Sequence, residues 1–365
     1  VNTPYSKTRG ELFAVKYLKL RQIRLLWSRS NIGMFLTRSN NNITIEFFLS
    51  LAYIEYTYMP QQNQQKSAIV ITGATGLLGQ ELVRYFGTKE QYRIMPLSHA
   101  DMEMTNPTRV AKVIHDTAPD IIINCAAIID IDFCEQNQNV CFAVNRDSVK
   151  NLLAAAKLQK PITFIQISSS EVFGGVNEGE YLINGYREDD ALIPASAYQK
   201  SKKEAEEVLQ AYAASSPQTI AQWFIVRTSW LYGEGRKTYV DFFLEKIRAE
   251  QPFDVIYDQW RSPTWTRSIA EGLETVLERA NAQNGIYHLA GEVQPGEATT
   301  MDVIREIKNY LGDDVELPKI TLVSQKEFFN APRAPSNVLL NTKLPKLPYW
   351  RDTLKEYLSL IAPKS

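Results

Sequence analysis

From Ser67 onward the chain alternates short apolar runs with longer segments of helical periodicity. The runs are Ala68–Ile71, Tyr92–Leu97, Ile121–Cys125, Ile162–Ile167 and Trp223–Val226. Between them, Gln80–Phe86, Pro107–Asp116, Val140–Lys157 and Tyr198–Ala213 carry helical patterns. Strands that are apolar throughout suit burial on both faces, and strands alternating with helices of this length build a parallel sheet from βαβ units. The pattern therefore predicts an α/β fold with a doubly wound parallel sheet. Beyond Tyr232 the rhythm loosens: helical stretches at Tyr239–Glu250, Ser268–Ala280 and Thr300–Tyr310 are separated by loops containing Pro and Trp. A smaller C-terminal α/β lobe over residues 233–365 is expected there, mainly substrate-binding and with some segments returning to the core. No repeat of 20–50 residues is evident.

The first sixty residues differ in character. They hold eight basic residues (Lys7, Arg9, Lys16, Lys19, Arg21, Arg24, Arg29, Arg38) against Glu11, Glu46 and Glu55. Such a composition superficially matches an organelle transit peptide. The apolar run from Ile43 to Met59 is broken by Glu46 and Glu55, a poor membrane span. Gln61–Lys66 reads as a linker. The favoured reading takes residues 1–66 as an extension and linker outside the fold, with the true start near Met59-Pro60.

Composition narrows the function classes. The 365 residues are 44% hydrophobic and 22% charged, as in ordinary soluble domains, so a cytoplasmic protein is expected. A net charge of −1 gives no electrostatic reason for a nucleic-acid or membrane partner. Cys125, Cys134 and Cys141 lack metal-ligand spacing and read as reduced thiols. Three histidines disfavour a His-rich zinc site or a Ser-His-Asp hydrolase, and no metal is expected.

The segment Thr72-Gly-Ala-Thr-Gly-Leu-Leu-Gly79 directly follows a strand and opens a helix. Gly73, Gly76 and Gly79 allow a tight turn, close approach to a pyrophosphate and close helix–strand packing. Backbone N–H groups from Gly73 through Thr75, Gly76, Leu77 and Leu78 to Gly79, at the positive end of a helix, would hold the phosphates. The predicted sheet is thus of Rossmann type, with a dinucleotide-binding domain over residues 67–232. No acid stands at the tip of the second strand, where it would bind the ribose 2′-OH of NAD. Ser98 and His99 there could face a 2′-phosphate, so NADP(H) is preferred and NAD(H) stays open.

Tyr198 and Lys202 share one face at the start of a helical pattern. An ammonium beside a phenol lowers its pKa and makes it a better acid or base near neutrality. Tyr-x-x-x-Lys alone is usually a solvated helix face; its weight here comes from its place after the Gly-rich turn and just past a strand. That strand runs into Ser168-Ser-Ser-Glu-Val-Phe-Gly174, where a serine hydroxyl at the carboxyl end can polarise a carbonyl.

With these segments together, the chain resembles the extended short-chain dehydrogenase/reductase family, and within it the dTDP-4-dehydrorhamnose reductases. The resemblance runs from about Ala68 to Leu360. It rests on Thr72–Gly79, Glu103-Met-Thr-Asn-Pro107, Pro119-Asp-Ile-Ile-Ile-Asn-Cys-Ala-Ala127, Tyr198-Gln-Lys-Ser-Lys202, Arg227-Thr-Ser-Trp-Leu-Tyr-Gly233 and Asp258-Gln-Trp-Arg-Ser-Pro-Thr264. It implies NAD(P)H-dependent reduction of a 4-keto nucleotide sugar, dTDP-4-dehydrorhamnose to dTDP-L-rhamnose. Ser169 would be the catalytic hydroxyl, Tyr198 the proton donor, and Lys202 the residue that binds the nicotinamide ribose and tunes Tyr198. Glu103 and Met104 would lie by the adenine, and Ala126 and Ala127 along the cofactor. Ser170, Trp230, Gln259 and Arg333 would sit near the sugar nucleotide, and a homodimer is left open. The family usually carries an acid where Ser170 stands, and dehydratases need an Asp-Glu pair of which only Glu171 is present. Two alternatives remain: a sugar-nucleotide epimerase using the same Ser/Tyr/Lys set, and a non-catalytic NADP-binding subunit like the regulatory subunit of methionine adenosyltransferase.

Overall fold

The apolar runs become neighbouring parallel strands. The computed structural model describes residues 66–157, 160–175, 182–278 and 283–363, which belong to one compact unit starting at Gln65. The expected extension over residues 1–66 lies outside the described residues apart from Lys66. In chain order the first half comprises β1 (Ser67–Thr72), α1 (Leu77–Gly87), β2 (Tyr92–Leu97), α2 (Pro107–Thr117), β3 (Ile121–Asn124), α3 (Ile131–Gln136), α4 (Gln138–Phe142), α5 (Ser148–Ala156), β4 (Ile162–Ser169), α6 (Ala197–Ser215) and β5 (Ile220–Thr228). There follow β6 (Leu231–Tyr232), α7 (Tyr239–Arg248), β7 (Phe253–Ile256), β8 (Thr264–Trp265), α8 (Thr266–Glu278), β9 (Gly285–His288), α9 (Thr300–Leu311), β10 (Ile320–Val323), α10 (Gln325–Phe328) and α11 (Trp350–Ile361).

The main sheet has the order β2-β1-β3-β4-β5-β9, with every pair parallel. Strand order reverses at β1, and in such sheets a crevice opens outside the carboxyl ends of the strands flanking the reversal. Register puts Thr72 opposite Asn124, and Asn124 opposite Gln166. The Gly-rich turn, residues 125–128 and the end of β4 at Ser169 therefore lie on one side of the sheet, at the carboxyl ends of its strands.

Because side chains alternate across a strand, the sheet has two cores. Ile69, Ile71, Ile123 and Phe224 pack on one face with Leu78 and Leu82 of α1 and Leu273 of α8. Val70, Ile122, Phe164 and Ile225 pack on the other with Val110 of α2, Leu152 of α5 and Leu209 of α6. Each fully buried aliphatic or aromatic side chain contributes about 1.5–3 kcal/mol. A third core joins Tyr232, Val240, Phe243, Val255, Val303, Ile307, Trp350 and Leu354, from elements after β5.

Two segments differ from the periodicity. Val140–Lys157, expected as one helix, is α4, a π-helical turn at Ala143–Asp147, and α5. Inside that turn the Asn145 side chain is committed to other segments (below), and a π turn widens the ladder at such a residue. The sixth strand, β9, is only Gly-Ile-Tyr-His, too short to stand out as an apolar run.

Candidate active site

The turn after β1 is built by close backbone contact. Gly73 has φ +63°, and a Cβ there would lie 2.8 Å from Ala126 N and 2.9 Å from Ala126 Cα. At Gly79 a Cβ would come within 2.2 Å of the Gly73 carbonyl oxygen, so helix α1 sits directly on the turn. Gly76 occupies the N-cap of α1 without a side-chain cap, and the first turn carries no acid. The Gly76 N–H is taken by the Gly73 carbonyl (2.9 Å), and Leu78 is a core side chain, so exposed Thr75 and residues 77–79 offer backbone N–H groups rather than side chains to a ligand. An uncapped helix start without negative charge, with its glycines pressed on a neighbouring loop, fits a dinucleotide pyrophosphate.

Beneath the crevice runs a buried polar chain that the apolar-run reading missed. The Thr72 hydroxyl accepts from Ala126 N (3.3 Å) and donates to Asn124 Oδ1 (2.6 Å). Asn124 Nδ2 donates to Gln166 Oε1 (2.8 Å), and Gln166 Nε2 to the Ile167 carbonyl (3.0 Å). Asn145 pins the loop after β3 at both ends of one residue: its Oδ1 accepts from Ile128 N (2.8 Å) and its Nδ2 donates to Ile128 O (3.0 Å) and to Ser201 Oγ (3.0 Å). The signal in the sequence was an Asn and a Gln inside otherwise apolar strands, polar groups that burial tolerates only when bonded.

Helix α6 brings the expected proton-transfer pair to this edge. Its start is fixed by a capping box between Ser196 and Gln199. Tyr198 and Lys202 are both buried. The Lys202 ammonium donates to the Ile167 carbonyl (2.8 Å), at the end of the polar chain just described. Ser169 is the last residue of β4, within hydrogen-bonding reach of the Tyr198 hydroxyl, and its own oxygen also accepts from Glu171 N (3.2 Å). Ser169 and Tyr198 thus meet at the carboxyl end of β4, and Lys202, one helical turn beyond Tyr198, is bonded to the same strand two residues earlier. Burial pushes Lys202 down to about 8. The tuning of Tyr198 differs from expectation: burial, reinforced by the Glu171 charge, pushes its hydroxyl above the usual range, against the lowering effect of Ser169. The ammonium that was expected to lower it is spent on a backbone carbonyl and is itself desolvated.

The other expected residues scatter more. The Ser98 hydroxyl and N–H both bond Asp101 Oδ2 (2.6 and 2.8 Å), an acid just past the strand tip that holds its proton less tightly for those bonds. His99 is exposed beside Glu103 (3.3 Å), and Glu103 accepts from Thr105 (2.7 Å). Met104 is a buried core side chain. Ala126 and Ala127 are half-buried, Ala126 against the Gly-rich turn. Ser170 turns inward and donates to Ser229 Oγ (3.2 Å). Glu171 is held by Gln199 (2.9 Å) and Asn337 (2.7 Å). Trp230, at φ +42°, stacks on Tyr239 with ring centres 4.2 Å apart. Gln259 donates to Gln325 Oε1 (2.8 Å). Arg333 lies over the Phe329 ring (3.5 Å) and pairs with Asp132 of α3 (3.0 Å). Asp132 also accepts from the N–H groups of Asn330 (3.1 Å) and Ala331 (2.6 Å), so one carboxylate fastens the 330–333 loop to α3. No metal-binding cluster of His, Cys, Asp and Glu occurs among the described residues, and none of their helices is long and apolar enough to cross a membrane.

A parallel sheet with a phosphate-binding turn at its switch point, and a Ser/Tyr/Lys set at the same edge, define an NAD(P)-dependent oxidoreductase of the short-chain type. The chain belongs to the family described as the RmlD substrate binding domain, which matches residues 67–362. It is 30% identical over 298 residues to dTDP-4-dehydrorhamnose reductase of Mycobacterium tuberculosis, covering 80% of this chain and 92% of the relative. It is 28% identical over 293 residues to a probable dTDP-4,6-dihydroxy-2-methyloxan-3-one 4-ketoreductase of Streptomyces antibioticus, covering 79% and 93%. Its structure matches that of dTDP-4-dehydrorhamnose reductase from Bacillus anthracis in complex with NADP, with a TM-score of 0.69, 25% identity, and coverage of 80% of this chain and 99% of that one.

Proposed function

We propose that this chain uses NADPH to reduce a 4-keto sugar carried on a nucleoside diphosphate, with dTDP-4-dehydrorhamnose as substrate and dTDP-L-rhamnose as product. The observation that carries the reading is the contact of Ser169 with Tyr198, and the bond of buried Lys202 to Ile167, at the end of β4 on the side of the sheet that also bears the Gly73–Gly79 turn. The backbone N–H groups of Thr75 and residues 77–79 would hold the pyrophosphate on the turn that Gly76 closes, residues 98–104 would border the adenosine end, and Ala126 and Ala127 would flank the cofactor. When bound, the reduced dinucleotide supplies the hydride. Ser169 donates a hydrogen bond to the ketone oxygen and stabilises the charge that grows there. The Tyr198 hydroxyl, kept protonated by burial, gives its proton to the emerging alkoxide. Lys202, held by the Ile167 carbonyl, offers a cation beside the ribose position. Residues 67–232 would form the cofactor domain and residues 233–365 chiefly the sugar-nucleotide lobe, with Ser170, Trp230, Gln259 and Arg333 as specificity positions. The setting would be cytoplasmic, and the assembly a homodimer.

An NADPH-oxidation assay on the full chain against dTDP-, UDP- and GDP-4-keto sugars tests the reading. Turnover with the dTDP sugar is expected. Tyr198→Phe should lower kcat by about 100- to 10,000-fold, the usual contribution of a general acid, and leave NADPH affinity nearly unchanged. Wild-type rates in that variant would remove the mechanism. Tightly held cofactor with no net NADPH consumption would indicate an epimerase.

A further inference from the structure

One buried ion pair stands directly behind the catalytic set. Glu206 and Arg227 are each 1% exposed, and the guanidinium bonds the carboxylate twice, Nε to Oε1 (3.0 Å) and Nη2 to Oε2 (2.8 Å). Glu206 Oε1 also accepts from the Ser168 hydroxyl (2.5 Å). A fully buried pair in general adds little net stability over well-packed apolar residues of the same volume, so its presence here calls for another reason. The reason lies one helical turn away: Lys202 and Glu206 are i and i+4 on the same buried face of α6. Lys202 holds the Ile167 carbonyl while Glu206 holds the Ser168 hydroxyl, so two successive residues of β4 are gripped immediately before Ser169.

We propose, on the foundation of the catalytic reading above, that Glu206, locked by Arg227, is a positioning residue: it fixes the strand end that presents Ser169, and its negative charge keeps Lys202 in the ammonium form. The groups around Lys202 leave this task to Glu206. Cys125, from the end of β3, has its thiol pushed up to about 12 by burial and is neutral at working pH. Cys141, from α4, bonds Ser201 Oγ (3.4 Å) and receives Asn145 Nδ2 (3.5 Å). Glu206 is the largest influence opposing the desolvation of Lys202. Arg227, from β5, faces Glu206 and is otherwise bonded to the Glu188 carbonyl (3.3 Å), 3.4 Å from His288 Nε2 and over the Phe173 ring.

The test is the pH profile of NADPH oxidation by the full chain with dTDP-4-dehydrorhamnose. Glu206→Gln keeps an oxygen for Ser168 but loses the charge. The alkaline limb should move to lower pH by about one unit, so that rates on that limb drop about tenfold while the acidic plateau changes little. Glu206→Asp should restore the limb most of the way. Glu206→Gln combined with Arg227→Met removes both charges and leaves none unpaired in the interior; its limb should move in the same direction. Lower plateaus with an unmoved limb in folded variants, or failure of both Gln variants to fold, would make the pair purely structural and overturn the proposal. Wild-type turnover in Tyr198→Phe would instead sink the catalytic reading. An inactive Tyr198→Phe with unmoved limbs in the Glu206 variants would sink this inference alone.

Discussion

Replacing Gly73 with alanine probes how the phosphate-binding turn is made. The backbone sits at φ +63°, where a non-glycine residue costs about 1–2 kcal/mol. The new methyl would also lie 2.8 Å from Ala126 N and 2.9 Å from both Ala126 Cα and the Cys125 carbonyl carbon, all backbone atoms with no rotamer to yield. Forcing them apart costs about 1–3 kcal/mol, as for other overpacking. The sum, about 2–5 kcal/mol, should lower Tm by several degrees. Affinity should suffer as well. The turn must pull away from residues 125–126, and each backbone N–H that loses a charged phosphate oxygen forfeits about 1.5–3 kcal/mol, roughly a 10- to 150-fold weaker NADPH complex. Fluorescence titration with NADPH and thermal unfolding of the same sample measure the two effects. A Gly73→Ala protein with unchanged Tm and unchanged NADPH Kd would refute the packing argument and the use of this turn for phosphates together.

Two further outcomes follow from the site's surroundings. His288 is buried with its pKa pushed down to about 4, by desolvation first and by Arg227 second. Its folded value lies below the unfolded one, so the unfolded chain takes up the proton first and stability falls as pH drops from about 6.5 toward 4. At pH 4.5 the loss from this group is about 2–3 kcal/mol, which urea unfolding at pH 7 and pH 4.5 should show and His288→Gln should largely abolish. Asp132→Asn should release the 330–333 loop, since the carboxylate gathers two backbone N–H groups and Arg333; faster proteolytic cleavage in that loop and a raised KM for the sugar nucleotide with kcat near wild type are expected. Unaltered cleavage would show that the loop is held by other contacts.

What the chain declares by itself is what local chemistry dictates. Apolar runs between helical patterns gave the parallel sheet, because strands buried on both faces have no polar face to show. Three glycines at fixed spacing marked the turn after β1, because a side chain is strained by the backbone at Gly73 and crowded by the contact at Gly79. Tyr198 and Lys202, one turn apart, declared themselves in the same way. What only the tertiary structure decided are the relations across long separations. Thr72, Asn124 and Gln166 join into one hydrogen-bonded chain only because β1, β3 and β4 lie side by side in that register. Glu206 meets Arg227 and Ser168 from three different elements. The raised rather than lowered Tyr198 follows from burial, a property of the packed whole: desolvation depends on what surrounds a group, and sequence spacing carries no record of it.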